Sequence, residues 1–386
     1  MDQKTHTIYP DSQKDQYGGG VENVNFTLII PEGRAYVPNS LRLTGNVLFL
    51  KVGSPAEPFL NSEAVYYDNR VGMHSLFRSM YVSTANGLNA VIDDYPTWVK
   101  QLMLRTNDSQ KFNGSALRDL ELCSPTISGT NMNVFNSAQD NIMGVDFGLY
   151  PKVPLNLCDT STGSITNRVG NITFTVTTNN NLSVLFGENA PATGAGPTPH
   201  PNPVTGNSTY SIRNLKVHYD TKPAMPMDDV VKTKMLNVFH AKHTMNTNND
   251  VMNINLPIVA SAFVASYKPV NVINNVGVNE YQMVNPGIQR LEVTYNNNTN
   301  DVISFPLLSD EEILLNSVNA LDLGNKTPST LGMTSELYGQ EYSIGLNFGE
   351  PLDMKTARVS VSTQSTKVSN TNRHFLDLFA VGAITI

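Results

Sequence analysis

Apolar and polar residues alternate along much of this chain with a period of two. Val24, Phe26, Leu28 and Ile30 interleave with Asn25 and Thr27. Leu41, Leu43, Val47 and Phe49 interleave with Arg42, Thr44 and Asn46, and Ile172, Phe174 and Val176 with Thr173, Thr175 and Thr177. Successive side chains of a strand point to opposite faces, so these runs predict half-buried antiparallel strands. Further strands are expected over Tyr210–Tyr219, Met252–Leu256, Ile288–Tyr295, Ala357–Val361 and Phe375–Ile386.

Helical spacing is rare. Asp93-Asp94-Tyr95-Pro96 supplies a capping carboxylate and a first-turn proline. Trp98, Val99, Leu102 and Met103 then recur on one face up to Arg105. Ser309-Asp310-Glu311-Glu312 reads as a capping box ahead of Leu314, Val318 and Leu321. A weaker helix is expected from Asp228 to about Met235. The pattern as a whole is all-β, with a short helix inserted in each half.

Two Pro/Gly-rich stretches punctuate the pattern. Gly187–Gly206 carries Pro191, Pro197, Pro199, Pro201 and Pro203 and no aromatic residue, so it is expected as an exposed loop. Thr221-Lys222-Pro223-Ala224-Met225-Pro226 marks a domain boundary. The expected division is an arm at 1–20, a first β-sandwich at 21–222 and a second at 223–386, each long enough for eight strands. The arm, Met1–Gly20, is polar and ends in three glycines. It is expected to order only against a partner.

Composition narrows the function classes. Hydrophobic residues make up 40% of the 386, enough for packed cores, and charged residues only 15%, against about 25% in an average soluble protein. Lys and Arg number 26 and Asp and Glu 33, for a net charge of −7. That balance lacks the basic excess of a nucleic-acid binder, and no sequence-specific nucleic-acid binding is expected. No apolar leader is readable at the N-terminus. The longest apolar stretch, Leu256–Tyr267, is well short of the ~20 residues that span a bilayer. Asn is in surplus, with 45 residues. Low charge with abundant Asn, Thr and Ser suits a surface that is mostly contact with copies of itself.

Candidate chemistry is sparse. The chain has no GxSxG, HExxH, GxxxxGK[ST], GxGxxG or CxxC motif. Cys123 and Cys158 are read as two buried free thiols, with a single disulfide between them as the alternative. His240 and His243 are the closest histidine pair; with no carboxylate between them they are read as solvated surface residues, not metal ligands. Asp93-Asp94 and Asp228-Asp229 stand at helix starts and are read as caps, not acid–base pairs. Trp98 is read as the anchor of its helix on a sheet. The sequons at Asn25, Asn107, Asn113, Asn171, Asn181, Asn207, Asn297 and Asn325 follow from composition. The expectation is therefore no enzyme, no catalytic residue, no metal and no cofactor.

One set of segments resembles a known family. Gly72-Met73-His74-Ser75-Leu76-Phe77-Arg78-Ser79-Met80-Tyr81-Val82 leads through Asn86-Gly87 to Ile92-Asp93-Asp94-Tyr95 and the helix Trp98–Leu104. This is similar to the first-roll signature of double jelly-roll major capsid proteins. Ala35–Leu43, Tyr210–Asp220 and Asn372–Gly382 resemble that family's second strand, the strand closing its first roll and its final strand. The resemblance implies two tandem eight-stranded jelly rolls, and three subunits forming a pseudo-hexagonal homotrimeric capsomer of an icosahedral DNA virus. It also implies a place in the virion, minor capsid and vertex proteins as partners, and an internal membrane touched through the arm. The competing reading is a tandem β-sandwich carbohydrate-binding or fibre protein. It lacks exposed aromatics and acidic loop pairs to support it.

Overall fold

The structure is a computed structural model that describes residues 2–51, 65–68, 71–85, 87–106, 132–135, 145–158, 164–180, 208–229, 232–272, 280–296, 302–307, 309, 312–313, 316–317, 320 and 342–385. Its strands in chain order begin with β1 (Lys4–Ile8), β2 (Asn23–Leu28), β3 (Arg34–Tyr36), β4 (Arg42–Lys51), β5 (Val65–Asp68), β6 (Phe77–Thr84) and β7 (Asn89–Ile92). Helix α1 (Tyr95–Thr106) follows, then β8 (Met132–Phe135), β9 (Val145–Leu149), β10 (Ile172–Thr178) and β11 (Ser208–Pro223). The remainder comprises β12 (Lys234–Met245), β13 (Asn249–Ile254), β14 (Val259–Pro269) and β15 (Ile288–Asn296). It ends with β16 (Val302–Leu307), β17 (Ser343–Asp353), β18 (Arg358–Ser365) and β19 (His374–Thr385).

Strand order shows the same roll twice. In the first half, β1-β11-β4-β9 form one sheet and β2-β10-β6-β7 lie side by side in another. In the second, β12-β19-β14-β17 are neighbours, and β13-β18-β15-β16 form the facing sheet. Number eight strands of each half in order, leaving aside the short β3, β5 and β8. Both halves then read 1-8-3-6 opposite 2-7-4-5, the double Greek key of a jelly roll. The two rolls share a sheet: β7 and β12 run parallel, with Phe239 opposite Val91, joining four strands of each roll into one eight-stranded layer. One core fills the first sandwich and contains Phe26, Val82, Phe174, Ile212 and Trp98; the other fills the second and contains Phe263, Val293, Leu346 and Val361.

The period-two runs fold as expected. Ile172, Phe174, Val176 and Thr178 of β10 are buried while the threonines between them are half-exposed. β6 and β7 are joined through Gly87, whose φ of +114° is a conformation that a side chain disfavours. β11 carries a bulge between Arg213 and Lys216, where Asn214 takes a left-handed conformation.

Two expectations are corrected. Met1–Gly20 is not a free arm. β1 pairs antiparallel with β11 from Lys4 opposite Thr221 to Ile8 opposite Val217. The Asp11 amide donates to Asn25 O at 2.8 Å, and Tyr17 is buried and bridges Ile212. Tyr17 and the ladder to a strand more than 200 residues away supply the partners that the local sequence lacks. The helix expected from Asp228 to Met235 is also absent. Pro226–Asp229 is one turn of 3-10 helix, with Asp228 Oδ2 accepting from the Met225 amide at 2.9 Å, and β12 starts at Lys234. Met235 and Val238 pack in the first core, Phe239 and Ala241 pack against the second, and the ladder to β19 starts at Lys234; together these outweigh local helical spacing.

Of the second predicted helix, Glu312–Ile313 and Asn316–Ser317 are helical and Ser309 Oγ accepts from the Glu312 amide, as its capping role requires. Leu314, Val318, Leu321, Cys123 and the loop Gly187–Gly206 lie outside the described residues.

Candidate functional site

The chemistry of this chain concentrates in the seam between the rolls, and α1 is its axis. Asp94 caps the helix: its Oδ1 accepts from the Thr97 hydroxyl at 2.8 Å and the Thr97 amide at 3.4 Å. Pro96 sits in the first turn, where a missing N–H costs nothing. Trp98 and Val99 are fully buried and Leu102 and Met103 nearly so, as their spacing predicts, but Lys100 and Gln101 are buried as well. A helix buried on all sides has no solvent face, so its polar side chains must find partners inside.

Those partners come from both rolls. Lys100 Nζ donates to Asp68 Oδ2 at 2.7 Å and to Tyr281 O at 2.8 Å. Gln101 Oε1 accepts from the Ser343 hydroxyl, and Gln101 Nε2 reaches Met283 Sδ at 3.1 Å. Trp98 Nε1 donates to Lys152 O at 2.9 Å while its ring packs on Phe379, with centroids 5.7 Å apart. Asn179 Nδ2 reaches across to the Tyr281 hydroxyl at 2.9 Å. Trp98 is thus the anchor that the sequence suggested, but it anchors α1 on β19 of the second roll as well as in the first core. Lys100 and Gln101 were missed; their only signal was two polar residues inside an apolar helical run.

The second polar knot lies beside the first. Lys268 Nζ, on β14, is 2.9 Å from Asp94 Oδ2 and 3.5 Å from Asp377 Oδ2, and it also donates to the Thr97 hydroxyl. His240 Nε2 is 3.1 Å from Asp377 Oδ1. Burial by itself pushes the Asp94 carboxyl up. The Lys268 ammonium, with His240 and Lys242 behind it, outweighs that and holds it well below the ordinary carboxylate value. Burial likewise works to lower Lys268, but Asp94 and Asp377 raise it above the ordinary lysine value.

Asp94, His240 and Asp377 offer three ligand atoms within 4.8 Å of one another. A metal at that point would have to displace the Lys268 ammonium, which already supplies the positive charge. We therefore read the cluster as an ionic joint. A cavity of about 710 Å³ opens beside it, lined by Arg78, Asp93, His240, Lys242, Glu280 and Tyr281 among others.

The remaining sequence candidates are placed apart. His240 is not a solvated surface residue: its side chain is 5% exposed and stacks on Phe379. His243, three residues on in the same strand, points elsewhere and meets Asp250 at 2.7 Å. An odd spacing in a strand sends side chains to opposite faces, so the two histidines never converge. Cys158 is buried and free, and burial pushes its thiol up to about 12.

Two jelly rolls of the same topology sharing a layer, with a helix buried in the seam, define a double jelly-roll fold. Among solved structures the chain is similar to the Faustovirus major capsid protein, with a TM-score of 0.56 and 11% identity over 100% of this chain and 90% of that one. It is also similar to a chain of the Sputnik virophage, with a TM-score of 0.55 and 11% identity over 98% and 89%. A third likeness is to a chain of the PBCV-1 virus capsid, with a TM-score of 0.53 and 9% identity over 100% and 95%. No protein-family profile matches the sequence, and no curated protein is similar to it.

Proposed function

We propose that this chain is the major capsid protein of an icosahedral DNA virus, a structural protein and not an enzyme. Three copies form a pseudo-hexagonal capsomer. The observation that carries this reading is the repeat itself: one chain holds two rolls of the same topology, side by side in a common layer. Three such chains present six equivalent rolls, which is the outline a hexagonal array of capsomers needs. The proposed boundary between the rolls, at 222/223, falls at the end of β11, just before the link to β12. Self-assembly is the principal interaction, with minor capsid and vertex proteins as further partners. Lys4–Ile8 is hydrogen-bonded into the first roll, so that segment is not offered as a membrane anchor.

The test is the assembly state. Light scattering at micromolar concentration should return three times the chain mass, with interfaces of at least ~2,000 Å² as obligate assemblies have. Negative-stain images of the trimer should show a six-sided outline. A monomeric mass would overturn the reading.

A further inference from the structure

We propose that the crevice in the seam is a binding site for a carboxylated sugar, with Arg78 holding the carboxylate and Asp93 accepting hydrogen bonds from the sugar's hydroxyls. This goes beyond the capsid reading and does not depend on it.

The cavity measures about 710 Å³, within the ~300–1,000 Å³ of small-molecule sites. Its walls come from both rolls. β6 contributes Arg78 and Ser79, β10 contributes Thr177, and β12 and β14 contribute His240, Lys242 and Lys268. Asp93 and Asp94, between β7 and α1, also line it.

The charges on these walls fall into two sets. One set is already matched: Lys268 faces Asp94 at 2.9 Å, and His240 and Lys242 face Asp377 at 3.1 and 3.9 Å. The other is not. Arg78 and Asp93 are exposed, and among the described residues their side chains make no hydrogen bond or ion pair. A cation and an anion without partners therefore share one cavity.

Each asks for a different group on the occupant. A guanidinium grips a carboxylate through two parallel N–H donors. An ionised carboxylate such as Asp93 only accepts, so it needs an occupant that donates. The hydroxyls on the wall ask for the same. Ser79 Oγ donates to Thr177 Oγ1 at 2.8 Å, and Thr177 Oγ1 donates to Asn23 Oδ1 at 2.8 Å. Both hydroxyl hydrogens are engaged, and each oxygen keeps a lone pair for a donor. One carboxylate among several hydroxyls complements this lining, and that is the chemistry of a uronic or sialic acid. An inorganic anion would meet the carboxylates of Asp93 and Glu280 with nothing to donate. Val21, 55% exposed, and Pro96 give the lining an aliphatic part for the C–H face of a sugar ring.

A peptide fits this crevice less well. Extended peptides dock by adding a strand to an open sheet edge. β6, β10, β12 and β14 each have a neighbour on both sides within the eight-stranded layer. None of them offers an edge, so the crevice recognises its occupant through side chains.

The test is calorimetric titration of the full chain with glucuronic acid and with N-acetylneuraminic acid. Glucose serves as the neutral control and an acidic tetrapeptide as the alternative ligand. At least one carboxylated sugar should bind saturably in the millimolar range. Glucose should bind at least about tenfold more weakly, as loss of a hydrogen bond to a charged group implies. Arg78→Ala should lower the affinity for the acid sugar at least about tenfold, and Asp93→Ala should lower it too. Arg213→Ala, at an exposed arginine of β11, should leave it unchanged. Urea midpoints of the Arg78 and Asp93 variants should match the wild type, which separates lost binding from lost folding. Absence of saturable binding by either acid sugar overturns the proposal, as does binding that survives Arg78→Ala. Glucose bound as tightly as glucuronic acid overturns the role of Arg78. Binding of the tetrapeptide without either sugar assigns the crevice to a protein partner and overturns it as well. The mass of the assembly, which decides the capsomer reading, leaves each of these outcomes unaffected.

Discussion

Lys268 Nζ lies 2.9 Å from Asp94 Oδ2, and this one contact ties β14 of the second roll to the cap of α1 in the first. The same ammonium faces Asp377. Lys268→Ala would leave Asp94 without its ion-pair partner and Asp377 with only His240 and the part-exposed Lys242 beside it. Removing one partner of a buried pair costs about 3–5 kcal/mol. The expected outcome is a fall of that size in unfolding free energy, measured by urea titration. Lys242→Ala, whose side chain is 38% exposed and 3.9 Å from Asp377, should change stability by less than about 1 kcal/mol.

Trp98 is buried completely and touches both rolls through Phe379 and Lys152 O. Trp98→Ala should cost about 3–5 kcal/mol. Because the lost contacts span the seam, it should also split the thermal transition into two, one for each roll. A single sharp transition in differential scanning calorimetry would show that the rolls unfold together without this anchor.

Acid should weaken the fold in two separate windows. Burial holds His218, His6 and His374 below the ordinary imidazole value of 6.5. The unfolded chain therefore binds protons at these sites that the folded chain refuses, and stability rises with pH. The contribution is complete above about pH 6.5 and is lost progressively as pH falls from there towards the folded values. Asp94 acts lower on the scale: its folded value lies below the ordinary 3.8, so its stabilisation is present above that value and is lost as pH falls through the folded one. Urea midpoints should decline first as pH falls below about 6.5, and that decline should shrink in His218→Gln.

Gly382 on β19 faces β14 so closely that a Cβ would stand 1.8 Å from Val259 O. No rotamer can relieve a clash with backbone, so Gly382→Ala must push two paired strands apart. Overpacking of this kind costs about 1–3 kcal/mol or more. The expected outcome is a lower melting temperature and less soluble protein, measured against Gly33→Ala, where a Cβ meets nothing within 4 Å but φ is +70°.

Cys158 should be inert in the native state. Its thiol is buried and pushed up to about 12, so almost no thiolate exists near pH 8. Peptide mapping after iodoacetamide treatment should find Cys158 unlabelled in folded protein and labelled in urea.

What the sequence determined by itself is what depends on near neighbours. Alternation in Ile172–Thr177 specifies a strand with one wet face whatever it pairs with, and Asp94 with Pro96 specifies a helix start. The resemblance around Gly72–Leu104 covered the helix and the hairpin leading to it, where local spacing carries the information. β1 escaped because Lys4-Thr5-His6-Thr7-Ile8 has little apolar pattern; it is a strand only because β11 offers a ladder and Tyr219 stacks on His6. The helix expected after Asp228 failed for the converse reason, since from Lys234 onward the chain is paired with β19 along its whole length. The seam was illegible because its charges are far apart in sequence. Asp94 and Lys268 are 174 positions apart, and His240 and Asp377 are 137 apart. A lysine in a strand and an aspartate at a cap are ordinary surface features in one dimension. Only the packing of one roll on the other removes them from water, and that desolvation makes each the required partner of the next.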